Sequence, residues 1–352
     1  MSPSRGRRTF RFLSTLSEFE RFVVVAHNNP DPDAIATGWA MTTILEHCLG
    51  RPSKLVAGGA IIRSENVRMV EVLAPPLELV ESVEADEKTG VILVDCTPPV
   101  PNHLLHESEL RPTAVIDHHQ PAEERFRCAY RDVRPTLIAC STIATQYLQE
   151  QGIEPSPELA TALLYGIRTD AFNNPILTRQ DQRAVSWLGV RFDFQKFNEI
   201  QQAPLSRTHL SEMMAALENT VVHRDAAFCF LPRASYSEIV AELCDVLIRV
   251  GGIRHAICCA TVGDDTLVSV RVTEEGRNAS QLVQRTLKGI GQGGGHGRRA
   301  GGKIRGETID AELDLPAHLR ERWASACGFR SAQWEPLLEP ELVGSTAATA
   351  LR

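Results

Sequence analysis

VVVAHNNPDPDAIATGW, Val23 to Trp39, takes a buried apolar run into a short polar loop and straight out again into a helical pattern. Phe22 to Ala26 is apolar and β-branched, which predicts a strand; Ala34 to Leu49 carries apolar residues at helical spacing until Gly50 stops it. His27, Asp31 and Asp33 therefore fall in a strand-to-helix loop. In an open α/β sheet the ligand crevice lies at the carboxyl ends of the strands, so these three side chains face the working edge of the fold.

Outward from that loop the pattern repeats. Lys54 to Ala57 reads as a strand, and Ser64 as the cap of a helix towards Leu73. Val91 to Val94 is an apolar run ending on Asp95, and Thr113 to Ile116 another, ending on Asp117, His118 and His119. A helix is expected from Ser141 to Leu148. A second starts at Ser156-Pro157-Glu158 and runs out near Asp170. Strands alternating with helices imply a doubly wound, mostly parallel sheet for the N-terminal half. Thr178 to Gly189, Phe194 to Gln202 and Ser206 to Asn219 read as helices, with Ala203-Pro204-Leu205 as the hinge. The expected division is 1–205, 206–335 and a loose tail over 336–352. The smaller C-terminal α/β domain has strands at Ala227 to Leu231, Ala256 to Val262 and Leu267 to Val272. Its helices are Ser237 to Val250 and, capped by Asn278, Ala279 to Ile290. A glycine cluster, Gly291 to Gly302, follows.

At 352 residues the chain is long enough for two cores. Its formal net charge of -7 argues against a surface built to coat long nucleic acid, while a local basic patch for a short polyanion stays open. The 9 cysteines form no C-x-x-C pair, which points to reduced thiols in a cytoplasmic protein and away from a disulfide framework. Arg5, Arg7 and Arg8 are followed by no apolar stretch of the signal-peptide kind, and no segment has the length to span a bilayer, so no membrane association is expected.

The polar residues at the strand exits are imidazoles and carboxylates: His27, Asp31, Asp33, Asp95, Asp117, His118 and His119, joined by Asp170 at a helix end. Taken singly each has a plain reading. An Asp after a strand is ordinarily a cap or turn residue, and a His pair can be solvated loop. Jointly, several strand exits deliver metal-type donors to one edge. Two divalent ions about 4 Å apart repel by roughly 17 kcal/mol at an effective dielectric of about 20, and the four carboxylates Asp31, Asp33, Asp95 and Asp170 carry the charge to cancel them. Asp95, alone at its strand end, is the natural bridge. In the glycine cluster, backbone N–H groups can gather into an anion-binding nest, with His296, Arg298 and Arg299 adding charge and Arg271 on a neighbouring strand.

Three motifs carry a resemblance. The H-x-N-P-D-x-D run from His27 to Asp33, Val91 to Asp95, and Asp117-His118-His119 within AVIDHHQP resemble the signature of the DHH phosphoesterase superfamily. GGGHGRRAGG, Gly293 to Gly302, resembles the glycine-rich signature of the accompanying DHHA1 domain. The likeness runs over about residues 20 to 310 in the same motif order. It looks closest to the two-domain branch of nanoRNases and oligoribonuclease/pAp phosphatases, related to RecJ-like exonucleases.

The resemblance implies a DHH catalytic domain followed by a DHHA1 substrate-binding domain. His27, Asp31 and Asp95 would hold one metal; Asp33, Asp95, His118 and Asp170 the other. His119 would face the scissile phosphate, and Asp117 would orient the histidines. Mixed imidazole and carboxylate donors imply Mn²⁺. Gly293, Gly294, Gly295, His296, Arg298, Arg299 and Arg271 would grip the end of the substrate. The implied activity is two-metal hydrolysis of very short oligonucleotides to mononucleotides, with nucleotide 3′-phosphates such as pAp as a side activity. A cyclic or linear dinucleotide phosphodiesterase is the first alternative; an inorganic pyrophosphatase, which would share the first domain's motifs but not the glycine-rich strip, ranks lower, and a non-catalytic RNA-binding protein is the other class. A homodimer is compatible with this reading.

Overall fold

A wholly parallel sheet organises the first of two units, Met1–Pro204, and a mixed sheet the second, Leu205–Arg352. The computed structural model describes residues 8–338 apart from 99, 107, 120–125, 172–176, 274–277 and 310–311, with His296 described by its backbone alone. Among the described residues no helix is long and apolar enough to cross a membrane.

In the first unit α1 (Arg8–Leu16) leads to β1 (Arg21–Val25), α2 (Pro32–Leu49), β2 (Ser53–Ala57), α3 (Ser64–Leu73) and β3 (Leu77–Leu79). Three strands follow, β4 (Thr89–Val94), β5 (Ala114–Asp117) and β6 (Tyr130–Val133), then α4 (Cys140–Gln151), α5 (Pro157–Ala171), α6 (Arg179–Leu188) and α7 (Phe194–Gln201). The strand order is β3-β2-β1-β4-β5-β6. The chain winds outward from β1 one way and from β4 the other, so the order reverses between them, and that reversal is where an α/β sheet binds ligands.

The doubly wound order is therefore present, with one difference from the usual two helical layers. Residues of α1 to α7 share one core with Phe22 and Val24 of β1, whereas Val23, Val25, Val91 and Leu93 on the other face are covered by connecting residues such as Val80, Leu105 and Phe126. A right-handed β4-to-β5 crossover must run over this second face. Pro98, Pro99 and Pro101 crowd its start, and among its described residues no helix forms. A smaller correction concerns Ser64, expected to cap α3. It is the first helical residue, and Arg63 takes the cap position with no side-chain hydrogen bond.

The second unit comprises α8 (Arg207–Glu218), β7 (Val221–His223), β8 (Ala226–Leu231), α9 (Ile239–Leu247), β9 (His255–Val262), β10 (Asp265–Val272) and α10 (Ala279–Leu287). It continues with β11 (Gln292–His296), β12 (Arg299–Ile304), α11 (Leu315–Ala326) and β13 (Glu335–Pro336). Its strand order is β11-β12-β10-β9-β8-β7-β13, antiparallel except between β8 and β9. Residues of α10 and α11 pack on one face and of α8 and α9 on the other. The expected tail begins later than position 336: Pro336 pairs with Val221, Leu337 N–H donates to Thr220 O at 2.9 Å, and positions from 339 lie outside the described residues.

The glycine cluster is built as strands. It forms a hairpin in which β11 and β12 pair from Gln292↔Lys303 to His296↔Arg299, with Gly297 and Arg298 as the turn. A Cβ on Gly302 would meet Leu287 Cδ1 of α10 at 2.3 Å, so part of the glycine content serves the close approach of that helix.

Candidate metal centre

Asp31 caps α2. Its Oδ1 accepts the N–H groups of Asp33 and Ala34 at 3.0 Å each, and Pro32 stands just inside the helix where an N–H has no partner anyway. Asp33 is fully buried, and its two oxygens accept the N–H groups of Cys140 and Ser141 at 2.7 Å each, so the first turn of α4 aims at it. α5 packs closely at the same point. A Cβ on Gly166 would meet Ser141 Oγ at 2.6 Å and Asp33 Cα at 3.0 Å, so only glycine allows this crossing. Asp95 follows β4 in the left-handed region, φ 58°, with its N–H donated to Ile116 O at 2.9 Å. Asp tolerates that region better than most residues, and such backbone is concentrated at functional sites.

The side chains converge at the β1/β4 reversal. His27 Nε2 lies 3.6 Å from Asp95 Oδ2 and 3.7 Å from Asp31 Oδ1. His118 Nε2 lies 3.4 Å from Asp95 Oδ1, 3.3 Å from Asp170 Oδ2 and 3.9 Å from Asp33 Oδ2. The two oxygens of Asp95 thus face different histidines. Donor atoms of His27, Asp31 and Asp95 fall within 4.8 Å of one another, and so do those of Asp33, His118 and Asp170. Asp117, fully buried, accepts from the N–H groups of His118 and His119 at 2.8 and 3.1 Å and pairs with His119 Nδ1 at 2.8 Å. His118 Nδ1 lies 3.4 Å from Leu137 O, which turns its Nε2 to the carboxylates.

The charges are out of balance. Burial would lower His27, yet its contacts with Asp31 and Asp95 hold it well above the usual imidazole range. Burial, then Asp95 and Asp31, push Asp33 well above the carboxylate range. His119, despite its burial, is raised to about 9 by Asp117 and Asp95, while burial lowers His118. Without another cation, protons fill that role. Among the described residues none of Asp31, Asp33, Asp95 or Asp117 is ion-paired with Lys or Arg, and Asp95 Oδ1 is buried with no hydrogen-bond partner. Imidazoles and carboxylates at these separations fit divalent metal, and the donor set is that of a divalent-metal centre.

Every first-unit residue singled out from the sequence lies in this cluster. The others, Arg271, Gly293, Gly294, Gly295, His296, Arg298 and Arg299, lie on β10 and the glycine hairpin of the second unit. Arg271 is largely buried, with Nε donating to Asp245 Oδ1 at 2.7 Å and Nη1 to Ser269 Oγ at 2.9 Å. Its register partner is Arg299, so the two share a face of the sheet.

Sequence reading passed over the residues that hold the ligands. Asp181 of α6 accepts from Ile138 N–H at 3.2 Å and Thr142 Oγ1 at 2.8 Å, fixing the turn that carries Leu137 and Cys140. Its signal was a capping box, Thr178 with Asp181, which marks a helix start and says nothing of a metal.

Residues 21–167 match the model of the DHH family, N-terminal domain. The match runs from β1 into α5 of the first unit. An uncharacterized protein of Methanocaldococcus jannaschii is 31% identical over 287 residues, 80% of this chain and 57% of that protein. A probable manganese-dependent inorganic pyrophosphatase of Streptococcus suis is 32% identical over 154 residues, 43% of this chain and 48% of that protein. The chain thus spans about half the length of these relatives. In fold the chain resembles an exopolyphosphatase-related protein from Bacteroides fragilis, with TM-score 0.72 and 16% identity, over 90% of this chain and 95% of that one.

Proposed function

We propose that this protein is a two-metal, Mn²⁺-dependent phosphohydrolase of the cytoplasm that cleaves very short oligonucleotides to mononucleotides and removes 3′-phosphates from nucleotides such as pAp. The observation that carries the two-metal part is Asp95, whose oxygens face His27 on one side and His118 on the other. His27 and Asp31 would hold one ion with Asp95; Asp33, His118 and Asp170 would hold the second with it. When bound, such ions make water acidic near neutral pH and neutralise phosphate oxygens. Manganese is supported by the mixed donors and by the name of the streptococcal relative.

The chain's own residues do the positioning. His119 keeps a side chain 39% exposed while Asp117 holds its Nδ1, so Nε2 is the ring atom that would donate a hydrogen bond to a phosphoryl oxygen. Asp117 keeps that ring in one tautomer. The oligonucleotide preference is supported by the resemblance of Gly293 to Gly302 to a nucleotide-gripping strip. Inorganic pyrophosphate is the second reading, favoured by the 154-residue likeness to the streptococcal protein.

A substrate panel tests the reading: di- to hexaribonucleotides, pAp, cyclic dinucleotides and pyrophosphate, each with Mn²⁺, compared by kcat/KM. Dinucleotides should lead, with activity lost to a chelator and restored by Mn²⁺. A column led by pyrophosphate would replace the substrate, and no turnover in any column would overturn the enzyme.

A further inference from the structure

Beside Asp33 and Asp95 lies a thiol that none of the motifs includes. Cys140 opens α4 and is fully buried. Its sulfur and the carboxylate oxygens of Asp33 and Asp95 all fall within 4.8 Å of one another. Its hydrogen bond, to Ile116 O at 3.7 Å, is long, and Asp95 Oδ1 beside it is the buried oxygen without a hydrogen-bond partner. Burial, then the charges of Asp95 and Asp33, push the Cys140 thiol well above its usual range, so the sulfur stays protonated until a cation displaces the proton.

We propose that Cys140, Asp33 and Asp95 form a thiol-containing site on the buried side of the centre, which takes a thiophilic divalent ion such as Zn²⁺ or Cd²⁺ in preference to Mn²⁺. The proposal rests on the reading of Asp33 and Asp95 as metal ligands. At metal–sulfur and metal–oxygen lengths of roughly 2.3 and 2.1 Å, donors sharing one ion lie about 3 to 4 Å apart, so the three groups need close by only about 1 Å. Thiolate is a soft donor that Mn²⁺ gains little from and Zn²⁺ or Cd²⁺ gains much from. On binding, the thiol releases its proton to solvent. The centre then discriminates among ions by whether they recruit the sulfur: Mn²⁺ is held by imidazole and carboxylate, and a thiophilic ion acquires one further anchor.

Metal-free, full-length protein titrated with Cd²⁺ and separately with Mn²⁺ tests this, with affinity read by calorimetry and sulfur ligation by the ultraviolet thiolate-to-cadmium absorption. Wild type should gain the absorption at the first equivalents. Cys140→Ser should lose it, and its Cd²⁺-to-Mn²⁺ affinity ratio should fall by about tenfold or more, the scale on which single groups at metal sites act. Cys229→Ser, which removes a buried thiol of the second unit, should keep both. Should Cys140→Ser fail to fold, the ¹¹³Cd resonance of wild type decides, lying in the range of sulfur-containing sites if the inference holds. An absorption that persists in Cys140→Ser, an unchanged ratio, or a ¹¹³Cd shift typical of oxygen and nitrogen donors overturns it. None of these readouts uses turnover, so Mn²⁺-dependent hydrolysis without a sulfur signal would uphold the proposed function while removing this site.

Discussion

Two clusters of buried carboxylate lie in the same unit and solve the same problem in opposite ways. At β6, Asp132 is almost wholly buried, and its charge is met from within. Arg134 reaches it through two nitrogens, Arg8 pairs with it, and Tyr147 donates to it at 2.9 Å. At the β1/β4 reversal, Asp33, Asp95 and Asp117 are buried as deeply, with imidazoles for company and no Lys or Arg ion pair among the described residues. The first cluster is complete and holds α1, β6 and α4 together. The second is complete only with a cation from outside. Burying charge is costly unless it is paired, so the place where the fold leaves it uncompensated marks the site.

The largest effect expected is at the uncompensated cluster. Asp95→Asn should cut Mn²⁺-dependent turnover by about a thousandfold or more, well beyond the 10- to 100-fold of an outer partner. It should also abolish the stabilisation by Mn²⁺, which for wild type at 100 times Kd is about 2.7 kcal/mol. Thermal melts with and without the ion measure the second quantity. A variant that melts higher with Mn²⁺ as wild type does would remove Asp95 from the metals.

Asp132→Asn should behave in the reverse manner, destabilising the protein by about 3 kcal/mol while leaving the Mn²⁺ increment in place. Burial would raise Asp132, but Arg134, Tyr147 and Arg8 hold it below the usual carboxylate range. A depressed folded-state pKa gives stability that is present above the unfolded value of about 3.9 and is lost as pH falls through the folded value. Urea melts at pH 7 and pH 3 should therefore differ less in the variant than in wild type. Equal acid sensitivity would show that the pair is not the source.

Next in size is Asp117→Asn, which keeps an acceptor but loses the charge that fixes both histidines; metal affinity should fall about 10- to 100-fold. Unchanged Mn²⁺ binding by calorimetry would reduce Asp117 to a turn residue. The smallest effect is in the second unit, where Arg271 paired with Asp245 looks like the self-compensated kind. If Arg271 also anchors a phosphate, Arg271→Ala should raise KM for dinucleotides about tenfold and lower the salt slope by about 0.7. A stability loss with KM untouched would place it with Asp132 and take it out of binding.

Much of the first unit was legible because its signals are local. The apolar runs at Val91 and Ala114, the cap and Pro at Asp31-Pro32, and Gly50 each act within a few residues. Donors at strand exits could be gathered because parallel strands put all their carboxyl ends on one edge. Long-range placements were not legible. Nothing near Cys140 in the chain announces that the first turn of α4 meets Asp33, 107 residues away. The pairing of the glycine cluster as a hairpin was hidden for a related reason: the close packing of α10 on Gly302 is a contact that composition does not encode.

Gly166 sets more than a crossing distance. Because α5 meets Asp33 and Ser141 through backbone and short atoms with no intervening side chain, the backbone spacing beneath the donors is set before any ion arrives, and only side-chain closure is left to binding. Preorganisation of this kind makes ion uptake a matter of desolvation and proton release, with little ordering entropy to lose and only a small heat-capacity change. It also makes the site brittle: the methyl group of Gly166→Ala would press on Ser141 Oγ and on the backbone of Asp33.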